Sequence, residues 1–470
     1  MPDYMFMLET RLSPEQNAVL SRVQQLAQQH GLNVYLTGGA VRDLLNGQPI
    51  RDLDFTVEGN PLPLVREFEK QGARVIEQDT RLQHYELLFP GDAEGSLEAA
   101  RDEVYAVPGG RPHLRWSTIM EDLRRRDFAL NAIALSLNPA SRGLLLDPNN
   151  GVADIERREV RALTIHCFTN QPVRLLRAVR YCARLGYRME ARTEEWFELA
   201  LERGLHRQIP PADLGHELRQ LAREENPSAV LKAWDEYDLL PVIHPQFQHR
   251  SPDYEGLARL ARAAATLAAS GIRPRLLVPV LYCVFARLGP RERAAALRRL
   301  EFSADEVKAV TRLDAQARQV VRTLKSKALD SPRAAFAFLE NLPREMLAFV
   351  LAEYPEPKVT ARVRQYLTRW RPLHQSLPVE ELKALGVPPG PQFDAILERL
   401  FEMLLAGRGK TPAERSRLLR QLAGVREAAE AKRSSQKKKP TTAAPAGSSA
   451  RPRAESRPVK AQSRAKAGRR

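Results

Sequence analysis

Apolar residues recur at helical spacing from Ser13 to His30 (SPEQNAVLSRVQQLAQQH), behind a start that reads as an N-cap, a first-turn proline and a capping-box partner. The period then shortens. Val34 to Leu36 predicts a strand that ends at Gly38-Gly39, a short helix follows, and a second strand runs from Leu53. Arg74 to Glu77 and Tyr85 to Phe89 read as further strands. The stretch from Pro90 to Ser117 is rich in glycine, proline and charge, which predicts a partly mobile loop. Beyond about Val160 the spacing is almost wholly helical, and stripes such as Leu257, Leu260, Ala261 and Ala264 predict helix core. The expected fold class is therefore an α/β front followed by an all-α back.

Composition adds limits. A chain of 470 residues is too long for one core, and its 43% hydrophobic content suits a globular protein. Cys167, Cys182 and Cys283 are scattered without a CxxC pair, which fits buried thiols in a reducing compartment. Charges interrupt the short apolar run at the N-terminus, and no stretch resembles a membrane span, so a cytoplasmic location without membrane contact is expected. The charge is uneven. Residues 431–470 carry 13 Lys or Arg against one acid, Glu455, so a net +12 of the chain's +16 sits there. That segment has no aromatic residue and few large aliphatic ones, which predicts a disordered basic tail attracted to polyanions.

The candidate chemistry begins at VYLTGGAVRDLLNGQPIRDLDFTVEG, Val34 to Gly59. Side chains alternate along a strand, so Asp52 and Asp54 project from one face and repel each other unless something positive lies between them. A solvated strand end is the plain alternative. Three more patches follow in order: RRDFALNA from Arg125, DPNNGVADI from Asp147, and RLLRAVRYCARLGY from Arg174. With GGAVRDLL and RDLDF, this set resembles the bacterial tRNA nucleotidyltransferase/poly(A) polymerase family of the class II CCA-adding type. The resemblance covers about residues 15–245, with a weaker echo at KALGVPPGPQFDAILERL near the C-terminus.

The resemblance implies a polymerase-β-type nucleotidyltransferase head over residues 1–140. A helical neck with the base-selection helix would span 141–246 and a helical body and tail for the RNA acceptor 250–425, with the disordered basic tail at 426–470. It implies a template-independent enzyme that adds A, with C as a further substrate, from ATP and CTP to RNA 3′ ends, foremost those of tRNA, releasing pyrophosphate. DNA is not an expected partner. Asp52 and Asp54 would be the catalytic residues and ligands of Mg²⁺ or Mn²⁺, because carboxylates are hard oxygen donors. Gly38 and Gly39 would let the backbone approach the triphosphate, with Arg42 nearby unless Asp43 holds it as a structural ion pair. Arg126, Asp127 and Asn131 would line the nucleotide pocket, whereas Asp147, Gly151 and Asp154 read as a structural turn.

The last motif departs from the family. Relatives open this helix with Glu-Asp-x-x-Arg, whose Asp and Arg read the incoming base; here the positions hold Asn170, Gln171 and Arg174. An amide still accepts a hydrogen bond but also donates, without the strength of a charge-assisted bond. The expectation is an A-adding or loosely selective relative. Arg174, Arg177, Arg180 and Arg184 form a cationic stripe opposite Leu175, Leu176, Val179 and Ala183, expected to lie beside nucleotide or RNA. Gly95 and Ser96 replace an Ile-Asp pair of the return strand, where Glu98 is a candidate substitute. A catalytically weakened RNA-binding relative is the alternative. The sequence carries no P-loop and no His-Asp pair of an appended phosphohydrolase.

Overall fold

The computed structural model describes residues 3–107 and 110–424. The first long helix, Pro14–Gln29, starts as its residues dictate: Ser13 Oγ accepts from the Gln16 amide and Gln16 Oε1 accepts from the Ser13 amide. The strands of the front are β1 (Asn33–Thr37), β2 (Leu53–Glu58), β3 (Arg74–Asp79), β4 (His84–Leu88), β5 (Glu94–Ala99), β6 (Arg101–Val104), β7 (His113–Trp116), β8 (Ala134–Ser136) and β9 (Leu145–Leu146). Seven of them form one mixed sheet in the order β3-β4-β5-β2-β1-β8-β9, in which β2 and β5 run parallel and every other pair antiparallel. Leu36, Phe55, Val57, Leu87 and Leu97 are fully buried in it.

The loop expected from Pro90 to Ser117 is corrected. It contains β5, inside the sheet, and the separate antiparallel ribbon β6–β7. The sequence conceals β5 because a glycine sits mid-strand for a contact reason: a Cβ on Gly95 would stand 2.4 Å from the Leu53 carbonyl oxygen. The ribbon is concealed by its mixed pairing: Asp102 stands opposite Arg115, joined at 2.7 Å, and the other positions set a polar residue opposite an apolar one.

From the helix Gly151–Arg157 onward the described chain is helical apart from a short two-stranded pairing, Glu159–Val160 with Arg188–Met189. Among the described residues, no helix is long and apolar enough to cross a membrane. The chain forms two compact units divided between Pro372 and Leu373, inside the stretch expected as helical body and tail. The second has its own core of Leu382, Phe393, Leu400, Leu404 and Leu419. The basic tail lies outside the described residues.

Candidate active site

Asp52 precedes β2 and Asp54 lies within it, both half-buried. The parallel register sets Asp54 beside Ser96 of β5, whose hydroxyl donates to Asp54 Oδ1 at 2.8 Å. Desolvation, with the charge of Asp52 added to it, pushes the Asp54 carboxyl up to about 7 despite that hydrogen bond. The cleft in front of the pair is lined also by Glu86, Glu94 and Arg223. Above it runs the glycine turn. Gly38 has φ +63°, and a Cβ there would lie 3.3 Å from Arg126 Nη1; one on Gly39 would lie 3.5 Å from Arg42 Nη2 and 4.0 Å from Asp54 Oδ2. The missing side chains leave a cradle between two guanidiniums and a carboxylate. The Gly38 N–H itself donates to the Ile133 carbonyl at 3.3 Å.

The arginines around the cradle are held from behind. Arg126 Nη2 donates to Thr56 Oγ1 at 3.0 Å, Glu98 Oε1 at 3.1 Å and Asp122 Oδ2 at 2.8 Å. Glu98 also pairs with Arg101 at 3.2 Å, so this candidate substitute is engaged with arginines. Arg42, only 2% exposed, donates to Asp43 at 2.8 Å and to Asn131 Oδ1 at 2.6 Å, and lies over the Tyr181 ring. The ion pair with Asp43 is therefore present. Asn131 passes the connection on, donating to Asp127 Oδ1 at 3.3 Å. Asp127 accepts from its neighbour's amide at 2.8 Å and from Arg177 at 2.9 Å; burial opposes its charge, but Arg177 and Arg174 bring its carboxyl down to about 2.

The helix Arg174–Leu185 requires a correction: its arginine stripe does not form an open cationic face. Arg177 donates to Glu217 at 2.9 Å, and Arg180 to Glu217 at 3.0 Å and Glu224 at 2.9 Å. Arg184 donates to Asp43 at 2.7 Å. Arg180 is 4% exposed, too deep to lie along RNA. The physical reason is the neighbouring helix Pro211–Ala222 and the turn after it, whose acids Glu217 and Glu224 are two turns apart and meet the stripe. That spacing in HELRQLARE was the signal available in the sequence.

Gln171 and Arg174 do come together. Arg174 Nε donates to Gln171 Oε1 at 3.0 Å, and the guanidinium also reaches the Arg125 carbonyl at 3.4 Å. Gln171 Nε2 donates to Tyr105 Oη at 2.5 Å, and Tyr105 donates to Glu103 Oε2 at 3.0 Å. A carboxylate thus stands one phenol away from the position where relatives carry one. Glu103 and Tyr105 were missed because they lie in the misread loop. The structural reading of the third motif agrees with its contacts: Asp147 accepts from the Gly151 and Val152 amides at 2.7 and 2.9 Å, and Asp154 pairs with Arg161.

Two repelling carboxylates, a glycine cradle and inward-held arginines gather on one mixed sheet, and residues 34–161 match the family model for the poly A polymerase head domain. Among curated proteins the chain is similar to the A-adding tRNA nucleotidyltransferase of Geobacter sulfurreducens, 26% identical over 412 residues, covering 86% of this chain and 47% of that protein. It is 36% identical over 218 residues to the A-adding tRNA nucleotidyltransferase of Halalkalibacterium halodurans, covering 44% and 49%. It is 34% identical over 244 residues to the CC-adding tRNA nucleotidyltransferase of Deinococcus radiodurans, covering 50% and 62%. The chain spans about half the length of the first two relatives. A solved CCA-adding enzyme, apo form II, shares the fold at TM-score 0.50 and 23% identity, covering 90% of this chain and 99% of that one.

Proposed function

We propose that this chain is a template-independent nucleotidyltransferase that adds A, with C as a less favoured substrate, to the 3′ ends of tRNA. The observation that carries the reading is the Asp52/Asp54 pair, whose repulsion is left standing opposite a cradle open to a triphosphate. The similarity to A-adding and CC-adding tRNA nucleotidyltransferases supports the substrate class.

The donor set fits Mg²⁺ or Mn²⁺. Among the described residues no group of three or more His, Cys, Asp or Glu gathers as a metal cluster, and two carboxylates with the rest left to water and phosphate oxygens is how Mg²⁺ is commonly held. Bound between Asp52 and Asp54, the ion would supply Lewis acidity at the α-phosphate and favour the ionised 3′-hydroxyl. The remaining work falls to the chain. Gly38 and Gly39 keep side chains out of the phosphate path, and Arg126 presents positive charge beside Gly38. Asp127, Asn131 and Arg42 form one buried chain that fixes the pocket wall, and Arg177 and Arg180 hold the base-selection helix to the neck. Gln171 and Arg174 read the base: Arg174 donates to a ring nitrogen, and the Gln171 carbonyl accepts from the exocyclic amine of adenine or cytosine.

The test is incubation of purified protein with Mg²⁺, single labelled nucleotides and tRNA ending in CC or lacking CCA, followed by 3′-end sequencing. The expected result is A joined to tRNA ending in CC, abolished in Asp52→Ala and Asp54→Ala. Stepwise addition of C, C and A to trimmed tRNA would overturn the A preference. Tight tRNA binding without incorporation of any nucleotide would favour the weakened RNA-binding relative.

A further inference from the structure

Arg223 was not singled out by any motif, yet it stands in the acidic cleft. Its Nη2 lies 3.4 Å from Asp52 Oδ2 and forms an ion pair with Glu94, whose other oxygen is held by Arg275 at 2.8 Å. The residue follows directly on the neck helix Pro211–Ala222, so its guanidinium reaches the head from a different element. Its main chain is tied down as well. Arg51, the residue before Asp52, donates to the Arg223 carbonyl and pairs with Glu224 at 3.1 Å. Glu224 in turn accepts from Arg180, so the segment 223–224 joins the neck's ion network to the first candidate metal ligand.

Among the described residues that line the acidic cleft of Asp52, Asp54, Glu86 and Glu94, the cation is Arg223. A divalent ion on Asp52 would face that guanidinium across a shared carboxylate, and two cations so placed repel. We propose that Arg223 is a positioning residue that acts as the counter-cation of the catalytic carboxylates. Anchored on Glu94, it reaches Asp52 while no divalent ion is bound, gives Asp52 up when one binds, and thereby sets the metal affinity of the site. Glu94, fixed from behind by Arg275, is the partner it keeps. This inference rests on the functional reading above, in that Asp52 and Asp54 bind a metal.

The test is Mn²⁺ binding to the full chain without nucleotide, followed by electron paramagnetic resonance of the free ion. Arg223→Gln is expected to tighten binding about three- to tenfold, the scale of one partly exposed charge interaction. Arg223→Met, which keeps the aliphatic stem, is expected to do the same. Arg275→Gln is the control for charge alone, since Arg275 contacts Glu94 but no catalytic carboxylate, and is expected to change affinity by less than about twofold. Unchanged or weaker binding in both Arg223 variants overturns the proposal, as does an equal gain in Arg275→Gln. Wild type that binds Mn²⁺ in a manner lost in Asp54→Asn upholds the metal reading whatever Arg223 does. Absence of binding in wild type and in every variant overturns both readings, whereas binding that emerges only in the Arg223 variants supports both.

Discussion

Two charged regions face each other across the head and neck, and they solve opposite problems. On the arginine helix each of Arg177, Arg180 and Arg184 meets a carboxylate within 3.0 Å, from Asp127, Glu217, Glu224 or Asp43. At the start of β2, Asp52 has an arginine partner only at the longer distance of 3.4 Å, from Arg223, and the Asp54 carboxyl is pushed up to about 7. Burial of charge is costly unless it is paired. The paired region is therefore framework, and the region left in excess is the one proposed to take an external cation. A basic stripe in a sequence reads as a ligand surface only if no acid of the same chain reaches it.

The largest effect that would sharpen this contrast is on chemistry. Asp54→Asn is expected to lower nucleotide addition about a thousandfold or more, several kcal/mol of transition-state stabilisation. Its melting temperature should not fall, because the substitution removes a repulsion. Labelled-nucleotide incorporation and a thermal melt on the same preparation check both halves; a variant that keeps wild-type activity would erase the distinction between the regions.

The paired region predicts the reverse signature. Glu217→Ala strands Arg177 and Arg180, whose shared partner is 1% exposed, and should destabilise the first unit by about 3 kcal/mol. Denaturant unfolding measures it. A loss of only a few tenths would mean that the arginines find other partners and that the stripe is less committed to the framework than its contacts say.

Between these poles stands the Gln171–Tyr105–Glu103 chain, which orients the proposed base-reading residue by means of framework bonds. Tyr105→Phe removes the nearer acceptor for Gln171 Nε2, leaving Glu103 Oε2 at 3.5 Å, and the donor to Glu103. The expected result is a fall of about three- to tenfold in the ratio of kcat/KM for ATP over CTP, the scale of one or two net hydrogen bonds. An unaltered ratio with lowered stability would assign the phenol to the framework.

Much of this was legible in the sequence. The capping box at Ser13, the glycine turn and the Asp52/Asp54 pair are local patterns, and local patterns survive without knowledge of what packs against them. What failed was non-local. Gly95 interrupts the apolar pattern of its strand because the Leu53 carbonyl leaves no room for a Cβ, and β6–β7 sets polar residues opposite apolar ones at most of its positions. The fate of the arginine stripe depended on Glu217 and Glu224, some forty residues away, and Arg223 arrives at Asp52 from the same distant segment. No periodicity within one element announces a partner supplied by another.

The smallest expected effect concerns a histidine among the acids of the sheet. His84 on β4 lies between Glu86, at 3.9 Å, and Glu98, at 3.7 Å. Burial opposes its charge, but hydrogen bonding and attraction to the two glutamates outweigh that and push the imidazole up to about 10 from an ordinary 6.5. A folded-state value above the unfolded one means that the charged ring stabilises the fold fully below about pH 6.5, and that this contribution fades as pH rises through about 10. The arginine region has no such dependence, since guanidinium stays charged throughout. Wild type should therefore lose more melting temperature between pH 7 and 10 than His84→Gln, by only a degree or two given the long contacts and a side chain 31% exposed. Parallel melting curves for the two proteins would show that Glu86 and Glu98 do not depend on His84, and the acidic edge would then be even less compensated than its geometry indicates.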